Sequence, residues 1–231
     1  MHDIAPHEQS GFSLCVYNVR DKKRRIQMLS LKTIAPTTLS LLKALMSEPA
    51  LSQTRLVGGT SLALQYGHRI SVDLDFFGHI DCSSQELFDI LSSHGSLTIL
   101  SQSQHVKVFL INNIKVDIVE YNYPWLDEPI VEDGIRLATP QDIAAMKINA
   151  IVGRGTRKDF IDLYYLLEHY KLSEIIEFFA HKYPDYNLFT VVRSLTYFDD
   201  AEATPMPMMI RKESWQEIKS HITDCVKEFL D

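Results

Sequence analysis

Two features between Arg55 and Phe77 constrain this chain more than any other part of its sequence. A short apolar segment leads into Gly58-Gly59-Thr60-Ser61, and about a dozen residues later Asp73 and Asp75 stand in a second apolar run. Residues two apart in a strand point to the same face, so the two carboxylates are predicted to project side by side. They would repel by about 4 kcal/mol at about 4 Å and an effective dielectric of about 20, which a bound cation would relieve. The opposite face would carry Val72, Leu74 and Phe76.

The glycine run predicts an anion site. Glycine lets the backbone approach a ligand closely, and a helix beginning at Thr60 or Ser61 would present unpaired N–H groups to a phosphate. Carboxylates are ligands that Mg²⁺ prefers, usually completed by water and substrate phosphate. A phosphate on Gly58-Gly59-Thr60-Ser61 and a metal on Asp73 and Asp75 is the layout of a nucleotidyl-transfer site. The alternative is a glycine turn beside two solvated aspartates on an edge strand.

Composition limits the class of protein. The 231 residues are 45% hydrophobic, enough for one large domain or two modest ones with a real core. The net charge of −7 argues against a strongly basic, non-specific nucleic-acid binder, although it allows a local basic patch such as Arg20 to Arg25. Cys15, Cys82 and Cys225 suggest reduced thiols rather than a disulfide framework. With no apolar run of membrane length and no signal core, we expect a cytoplasmic protein with no membrane partner.

Local patterns predict an α+β fold. Strands are expected over 12–20, 54–57, 71–77, 97–101, 106–111, 114–121 and 135–138, with a loop over 127–134. Helices are expected over 37–47, 60–66 and 83–93, then from Thr139 onward, including 159–170, 173–182, 187–197 and 214–230. Ser83 and Glu86 form a capping-box pattern, Thr139 is a predicted N-cap, and Asn112-Asn113 is typical of a hairpin turn.

Asp117 is a third candidate carboxylate. It lies on the second strand of the predicted hairpin and points away from that strand's aliphatic face. Three carboxylates on neighbouring strands are expected of two-metal phosphoryl transfer. The alternative is an exposed strand aspartate, because the distance from Asp117 to Asp73 cannot be read from the sequence.

Charged residues continue into the helical half. Lys147 shares a helix face with Ile143 and Ile151, so it must snorkel or meet an anion, and we interpret it as reaching a triphosphate. The basic turn Gly153 to Lys158 precedes two acids in the next predicted helix, a pattern that plain helix-end electrostatics would also explain. Arg69, between the glycine run and the aspartates, is a candidate phosphate contact.

The segment from Gly58 to Phe77 resembles the signature of the AbiEii/AbiGii toxin family of minimal nucleotidyltransferases, in the polymerase-β-like superfamily. The resemblance covers roughly residues 28 to 170. It implies a small mixed β-sheet nucleotidyltransferase core over 28–138 with flanking helices, followed by a helical C-terminal domain over 139–231, with 1–27 as an N-terminal extension. It also implies that four residues bind nucleotide phosphates or assist acceptor deprotonation: Lys147, Arg157, Asp159 and Asp162.

The resulting hypothesis is a metal-dependent nucleotidyltransferase. Two Mg²⁺ ions would be held by Asp73, Asp75 and Asp117, and Asp117 would be the base for the acceptor hydroxyl. The resemblance implies an NTP substrate, tRNA as the preferred acceptor, and a toxin with a cognate antitoxin in a toxin–antitoxin or abortive-infection pair. Two alternatives stay open: transfer to a small molecule or a protein, and a non-catalytic member that only binds nucleotide or a partner protein.

Overall fold

A mixed seven-stranded sheet is the centre of the fold in the computed structural model, which describes residues 28–231. Its strands are β1 (Thr54–Leu56), β2 (Leu74–Gly78), β3 (Leu97–Gln102), β4 (Val106–Ile111), β5 (Ile114–Glu120), β6 (Ile130–Glu132) and β7 (Ile135–Leu137). They lie in the order β3-β4-β5-β2-β1-β7-β6. β2 runs parallel to β5 and β1 parallel to β7, while the other neighbours are antiparallel. The strand predicted over 12–20 lies outside the described residues.

Nine α-helices accompany the sheet in residues 28–231. They are α1 (Pro36–Met46), α2 (Gly58–Tyr66), α3 (Ser84–Ser92), α4 (Pro140–Gly153), α5 (Arg157–Leu167), α6 (Leu172–Lys182), α7 (Leu188–Leu195), α8 (Asp199–Glu202) and α9 (Trp215–Leu230). Short 3-10 turns occupy Leu31–Thr33 and Pro49–Leu51. The α+β class is confirmed. No helix in this part of the chain has the length and apolarity that a membrane crossing requires.

The two faces of the sheet belong to two hydrophobic cores. Leu74 and Phe76 pack with α1 and α3 in one core, whereas Phe77 packs against the core of the C-terminal helices. α2 joins the two, because Leu62 lies in the helical core and Leu64 in the core with α1. The sheet and the helical half therefore meet at α2, the helix that the glycine run begins.

Local signals identified most of the elements. The capping box of Ser83 and Glu86 starts α3, and Asn112-Asn113 joins β4 and β5 with φ of 48° and 65°. Thr139 caps α4 by accepting a hydrogen bond from the N–H of Asp142. These expectations are confirmed.

Four local expectations were wrong. α2 begins at Gly58 rather than at Thr60 or Ser61. The segment predicted as a loop contains β6, whose residues pair with β7. α5 spans Arg157–Leu167 rather than 159–170. β2 spans Leu74–Gly78 rather than 71–77, so Asp73 and Val72 precede the strand; Val72, 61% exposed, does not share the buried face of Leu74 and Phe76.

A segment near the C-terminus pairs with the chain just after α2. Arg69 and Met209 form an antiparallel bridge. The N–H of Ile70 donates to the oxygen of Met208 (2.8 Å), and the N–H of Ile210 donates to the oxygen of His68 (2.9 Å). The proline- and methionine-rich segment thus packs beside the candidate site, a position that nothing in its local sequence indicates.

Candidate active site

The turn between β1 and α2 lies directly against Asp75. The N–H of Val57 donates to the backbone oxygen of Asp75 (2.9 Å), and Gly58 has a φ of 65°. The first backbone bond of α2 runs from the N–H of Ser61 to the oxygen of Val57 (3.4 Å). The amides before Ser61 have no acceptor inside the helix, which is the condition for anion binding at a helix start.

Both glycines are required by close contacts. A Cβ on Gly58 would overlap Oδ2 of Asp75, and a Cβ on Gly59 would overlap Nη2 of Arg69. The turn therefore brings a carboxylate and a guanidinium against the same stretch of backbone. The absence of side chains at these two positions is a direct consequence of that packing.

The two hydroxyls that follow are used internally. Thr60 is buried, and its Oγ1 hydrogen-bonds to the backbone oxygen of Asp73 and to Oγ of Ser71 (2.9 Å). Ser61 is also buried, and its Oγ accepts from the side chain of Gln65 (3.2 Å). The hydroxyl of Thr60 therefore ties the start of α2 to the segment before β2, whereas that of Ser61 is used within α2 itself.

Asp75 and Asp117 are neighbours across the parallel pair β2 and β5, where they are register partners. Asp73 immediately precedes β2. Burial, followed by the charges of Asp117 and Asp73, raises the pKa of Asp75 to about 6. The negative charges of Asp117 and Asp73 therefore act on Asp75, and their repulsion adds to the effect of burial on its pKa.

Cations surround these carboxylates. Nζ of Lys115 lies 2.5 Å from both carboxylate oxygens of Asp117, and Nζ of Lys158 lies 3.7 Å from Oδ2 of Asp73. The side chain of Lys158 is 46% exposed and that of Arg154 is 60% exposed. The pKa of Arg154 is raised first by its hydrogen bonds to Asp159, against the effect of burial, and then by nearby carboxylates that include Asp75. These exposed cations are available to an anionic ligand.

Behind this surface lies a buried ion network centred on Asp162. Arg69 donates to it in a bidentate manner, through Nε (2.7 Å) and Nη2 (2.9 Å). Nε2 of His68 lies 2.8 Å away and Nζ of Lys147 lies 2.7 Å away. Burial would raise the pKa of the Asp162 carboxyl, but Arg69 and Lys147 outweigh it and hold that pKa well below its usual range.

Lys147 also joins this network to Asp159. Its Nζ donates to Oδ1 of Asp159 (3.0 Å). The same carboxylate also accepts hydrogen bonds from the guanidinium of Arg154 and from the hydroxyl of Thr156. Burial opposes the shift, yet Lys147 and Arg154 lower the pKa of Asp159. A carboxylate with a lowered pKa is a weak base, and Lys147, only 5% exposed, is already matched by two aspartates.

Arg157 points away from the carboxylates. Its Nη2 donates to the backbone oxygen and to Oε2 of Glu202 (both 3.1 Å), and its guanidinium lies 5.2 Å from the ring centre of Trp215. The neighbouring Lys158 takes the position beside Asp73. Sequence reasoning did not name Lys115, Lys158 or His68 as site residues, although Lys158 lies in the basic turn that it did identify.

The donor set suits a hard divalent cation. Asp73, Asp75 and Asp117 supply oxygen atoms of the type Mg²⁺ prefers, and burial together with the charge of Asp117 raises the pKa of Asp75. As they stand, the side chains of residues 28–231 form no group of three His, Cys, Asp or Glu arranged to hold a metal ion, and Lys115 and Lys158 contact two of the three carboxylates. The chemistry of the three carboxylates fits a metal ion. In this structure Lys115 and Lys158 neutralise part of their negative charge.

Comparisons with known proteins identify the family of this chain. A family model described as nucleotidyl transferase AbiEii toxin, type IV TA system, matches residues 40–229. The uncharacterized protein aq_aa25 of Aquifex aeolicus (strain VF5) is 36% identical over 186 residues, covering 76% of this chain and 87% of the relative.

Two crystal structures of Helicobacter pylori proteins share the fold. JHP933 is 19% identical with a TM-score of 0.54, covering 86% of this chain and 90% of its own. The other, to which nucleotidyltransferase activity is provisionally assigned, is 21% identical with a TM-score of 0.56, covering 84% and 95%. At these identities the likeness establishes the fold alone.

Proposed function

Because this chain belongs to the AbiEii nucleotidyl transferase toxin family, we propose that it transfers NMP from an NTP to a hydroxyl of tRNA in a Mg²⁺-dependent reaction. The nucleotidyltransferase class follows from the family, while the metal and the acceptor are the proposal. The observation that carries it is the register pairing of Asp75 with Asp117 directly beside the Gly58 turn.

The NTP phosphates would lie on the first amides of α2. A helix start with unpaired N–H groups binds phosphate without any side chain. Lys158 and Arg154 are the exposed cations beside the carboxylates, so they would contact the triphosphate directly. Lys147, Arg69 and Asp162 would act from behind, by fixing α4 and α5 against the turn.

Asp73, Asp75 and Asp117 would hold the Mg²⁺ ions, which when bound neutralise charge on the triphosphate and the departing pyrophosphate. Lys115 would have to move from the carboxylate of Asp117 for that oxygen set to become available. Asp75, with its raised pKa, is the ligand whose charge most needs a cation.

Asp117 would accept the proton of the acceptor hydroxyl. Its side chain is partly exposed, whereas that of Asp159 is fully buried. Asp159 holds its negative charge firmly because its pKa is lowered, so it is suited to positioning Lys147 and Arg154 rather than to taking a proton.

The family is that of a type IV toxin–antitoxin system, which supports a cognate antitoxin as partner and action in the cytoplasm, where NTPs and tRNA are found. With a net charge of −7, the chain has to bind RNA through a local basic surface. Arg154 and Lys158 provide one beside the carboxylates, whereas the predicted basic arm Arg20 to Arg25 lies outside the described residues.

Label transfer tests this function. Purified protein is incubated with Mg²⁺, each of the four α-labelled NTPs in turn, and total tRNA. We expect label on tRNA with the wild type and with Asp81→Asn, a control at an exposed aspartate, and none with Asp75→Asn.

Two other results would redirect the proposal. If NTP binds but no RNA is labelled, the acceptor is a small molecule or a protein, and label should then be sought in those fractions. If no acceptor is labelled although NTP binds normally in the presence of Mg²⁺, the chain acts as a non-catalytic nucleotide-binding member. A strong salt dependence of tRNA binding would support the tRNA acceptor.

A further inference from the structure

A cavity of about 360 Å³ opens between the helical half of the chain and the segment that follows β5. Small-molecule sites are typically concave, mostly apolar and a few hundred Å³ in volume. Most of the wall is made of aromatic rings and amides: Tyr123, Asn149, Phe179, Tyr183, Tyr186 and Asn187.

A row of aromatic rings connects this cavity to the carboxylate face of the sheet. Phe77 follows Asp75 by two residues on β2, so both side chains project from the same face. The ring of Phe77 lies 5.3 Å from that of Tyr121, Tyr121 lies 5.4 Å from Tyr123, and Tyr123 lies 4.8 Å from Tyr183. This row of packed rings therefore links the cavity to the strand that carries Asp75.

Hydrogen bonds of Lys182 and of two tyrosine hydroxyls hold this row of rings in place. Lys182 is fully buried, and its Nζ donates to Oδ1 of Asp142 (2.7 Å) and to the oxygen of Pro124 (2.5 Å). The hydroxyls of Tyr121 and Tyr183 are hydrogen-bonded to each other (2.9 Å). These contacts tie the segment after β5 to α4 and α6, so the cavity wall is preorganised.

Two groups at the cavity remain open to a ligand. Tyr123 is 51% exposed although its ring packs between those of Tyr121 and Tyr183. Asn149, on the exposed side of α4, makes no side-chain hydrogen bond within residues 28–231, so both its amide donor and its acceptor are available. A ring with free surface beside an unused amide is the pairing that recognises a heteroaromatic base.

We propose that this cavity binds a nucleobase, which stacks on Tyr123 and is read at its edge by Asn149. The inference rests on the proposed function, since the base would belong to one of the two substrates of that reaction. Stacking on an aromatic side chain tolerates any base, and the amide adds a preference through hydrogen bonds. The base belongs either to the NTP or to the unpaired end of the acceptor RNA.

Binding measurements with matched tyrosine variants test the proposal. Tyr123→Leu removes the ring, Tyr123→Phe keeps it, and Tyr197→Leu is a control at a tyrosine of equal exposure (50%) outside the cavity. Equilibrium dialysis measures the Kd of each labelled NTP and of a short single-stranded RNA. We expect Tyr123→Leu to raise one of these Kd values about tenfold, and the other two variants to match the wild type.

The two arms identify the source of the base. A weaker Kd for NTP alone assigns the cavity to the incoming nucleotide, and a weaker Kd for RNA alone assigns it to the acceptor. Unchanged Kd values for both probes in Tyr123→Leu would overturn the proposal, even if label transfer by the wild type succeeds. Conversely, Tyr123-dependent binding without label transfer would uphold the cavity and refute the proposed reaction.

Discussion

Asp75 and Asp117 are register partners on the parallel strands β2 and β5, so two carboxylates face the same side of the sheet on adjacent strands. Burial and the charge of Asp117 raise the pKa of Asp75 from 3.8 to about 6. The folded chain thus binds this proton more tightly than the unfolded chain. Without metal, the resulting stabilisation is present below about pH 4 and is lost as the pH rises through about 6.

Replacing Asp75 with asparagine should therefore separate stability from activity. In metal-free buffer at pH 8 we expect Asp75→Asn to raise the free energy of unfolding by about 1–2 kcal/mol, and at pH 4 to change it little. Label transfer should disappear. Urea unfolding at both pH values, with Asp81→Asn as control, measures the effect, and an equal shift at pH 4 and pH 8 would contradict the assigned cause.

Gly58→Ala should disable the site more than it harms the fold. A residue with a Cβ at this φ costs about 1–2 kcal/mol, and the Cβ would displace the carboxylate of Asp75. A displacement of that kind lowers kcat by about 100-fold. Gly153→Ala is the matched control, because no atom of residues 28–231 lies within 4 Å of its added Cβ, and it should keep wild-type kcat. Similar kcat losses in both variants would argue against the contact with Asp75.

Lys158→Ala and Arg157→Ala should affect different properties, the KM for NTP and the stability respectively, although the two residues are adjacent in the sequence. Removing Lys158 takes a cation from beside Asp73, so the KM for NTP should rise about tenfold while stability changes by less than about 0.5 kcal/mol. Removing Arg157 breaks its contacts with Glu202 and Trp215, so stability should fall by about 1 kcal/mol with little change in KM.

Steady-state kinetics and thermal unfolding of both variants distinguish these outcomes. A raised KM in Arg157→Ala with normal KM in Lys158→Ala would restore Arg157 to the role that the family resemblance implies.

Asp162→Asn should destabilise the fold strongly. It leaves the buried cations of Arg69 and Lys147 without their shared carboxylate, which costs about 3–5 kcal/mol. Since the folded pKa of Asp162 lies well below 3.8, its stabilisation is complete above about pH 4 and is lost as the pH falls through the folded value. The acid limb of the wild-type stability profile should thus be steeper than that of the variant.

Denaturant unfolding between pH 2 and pH 7 gives both quantities. Asp224→Asn, at an exposed aspartate paired only with Lys227, should cost less than about 0.5 kcal/mol and leave the acid limb unchanged. An acid limb of equal slope in Asp162→Asn and the wild type would show that other carboxylates control acid unfolding.

Sequence patterns predicted elements that depend on nearby residues. The capping box of α3, the Asn112-Asn113 turn and the cap at Thr139 each act within three or four residues, and all three were confirmed. The prediction of a loop over 127–134 was wrong, because the composition of this segment is that of a loop and β6 forms through its pairing with β7.

The candidate site mixes the two kinds of information. The alternation of side chains predicted which face of its strand Asp117 occupies. The pairing of β5 with β2, which places Asp117 beside Asp75, could not be read from the sequence. The directions of Arg157 and Lys158 depend on partners far along the chain, namely Glu202 and Asp73, and no local pattern reports such contacts. The same holds for Lys182, which lies far along the chain from its partners Pro124 and Asp142 and holds the segment of the aromatic row in place through them.

The bridge between Arg69 and Met209 has a consequence for the time at which the site is completed. A ribosome makes the glycine turn and all three carboxylates before it makes Met209, the strand partner of Arg69. Until Met209 has been made, the segment between the turn and β2 lacks this backbone pairing. The contacts that the bridge adds at Arg69 therefore form only after helices α4 to α8 have been synthesised.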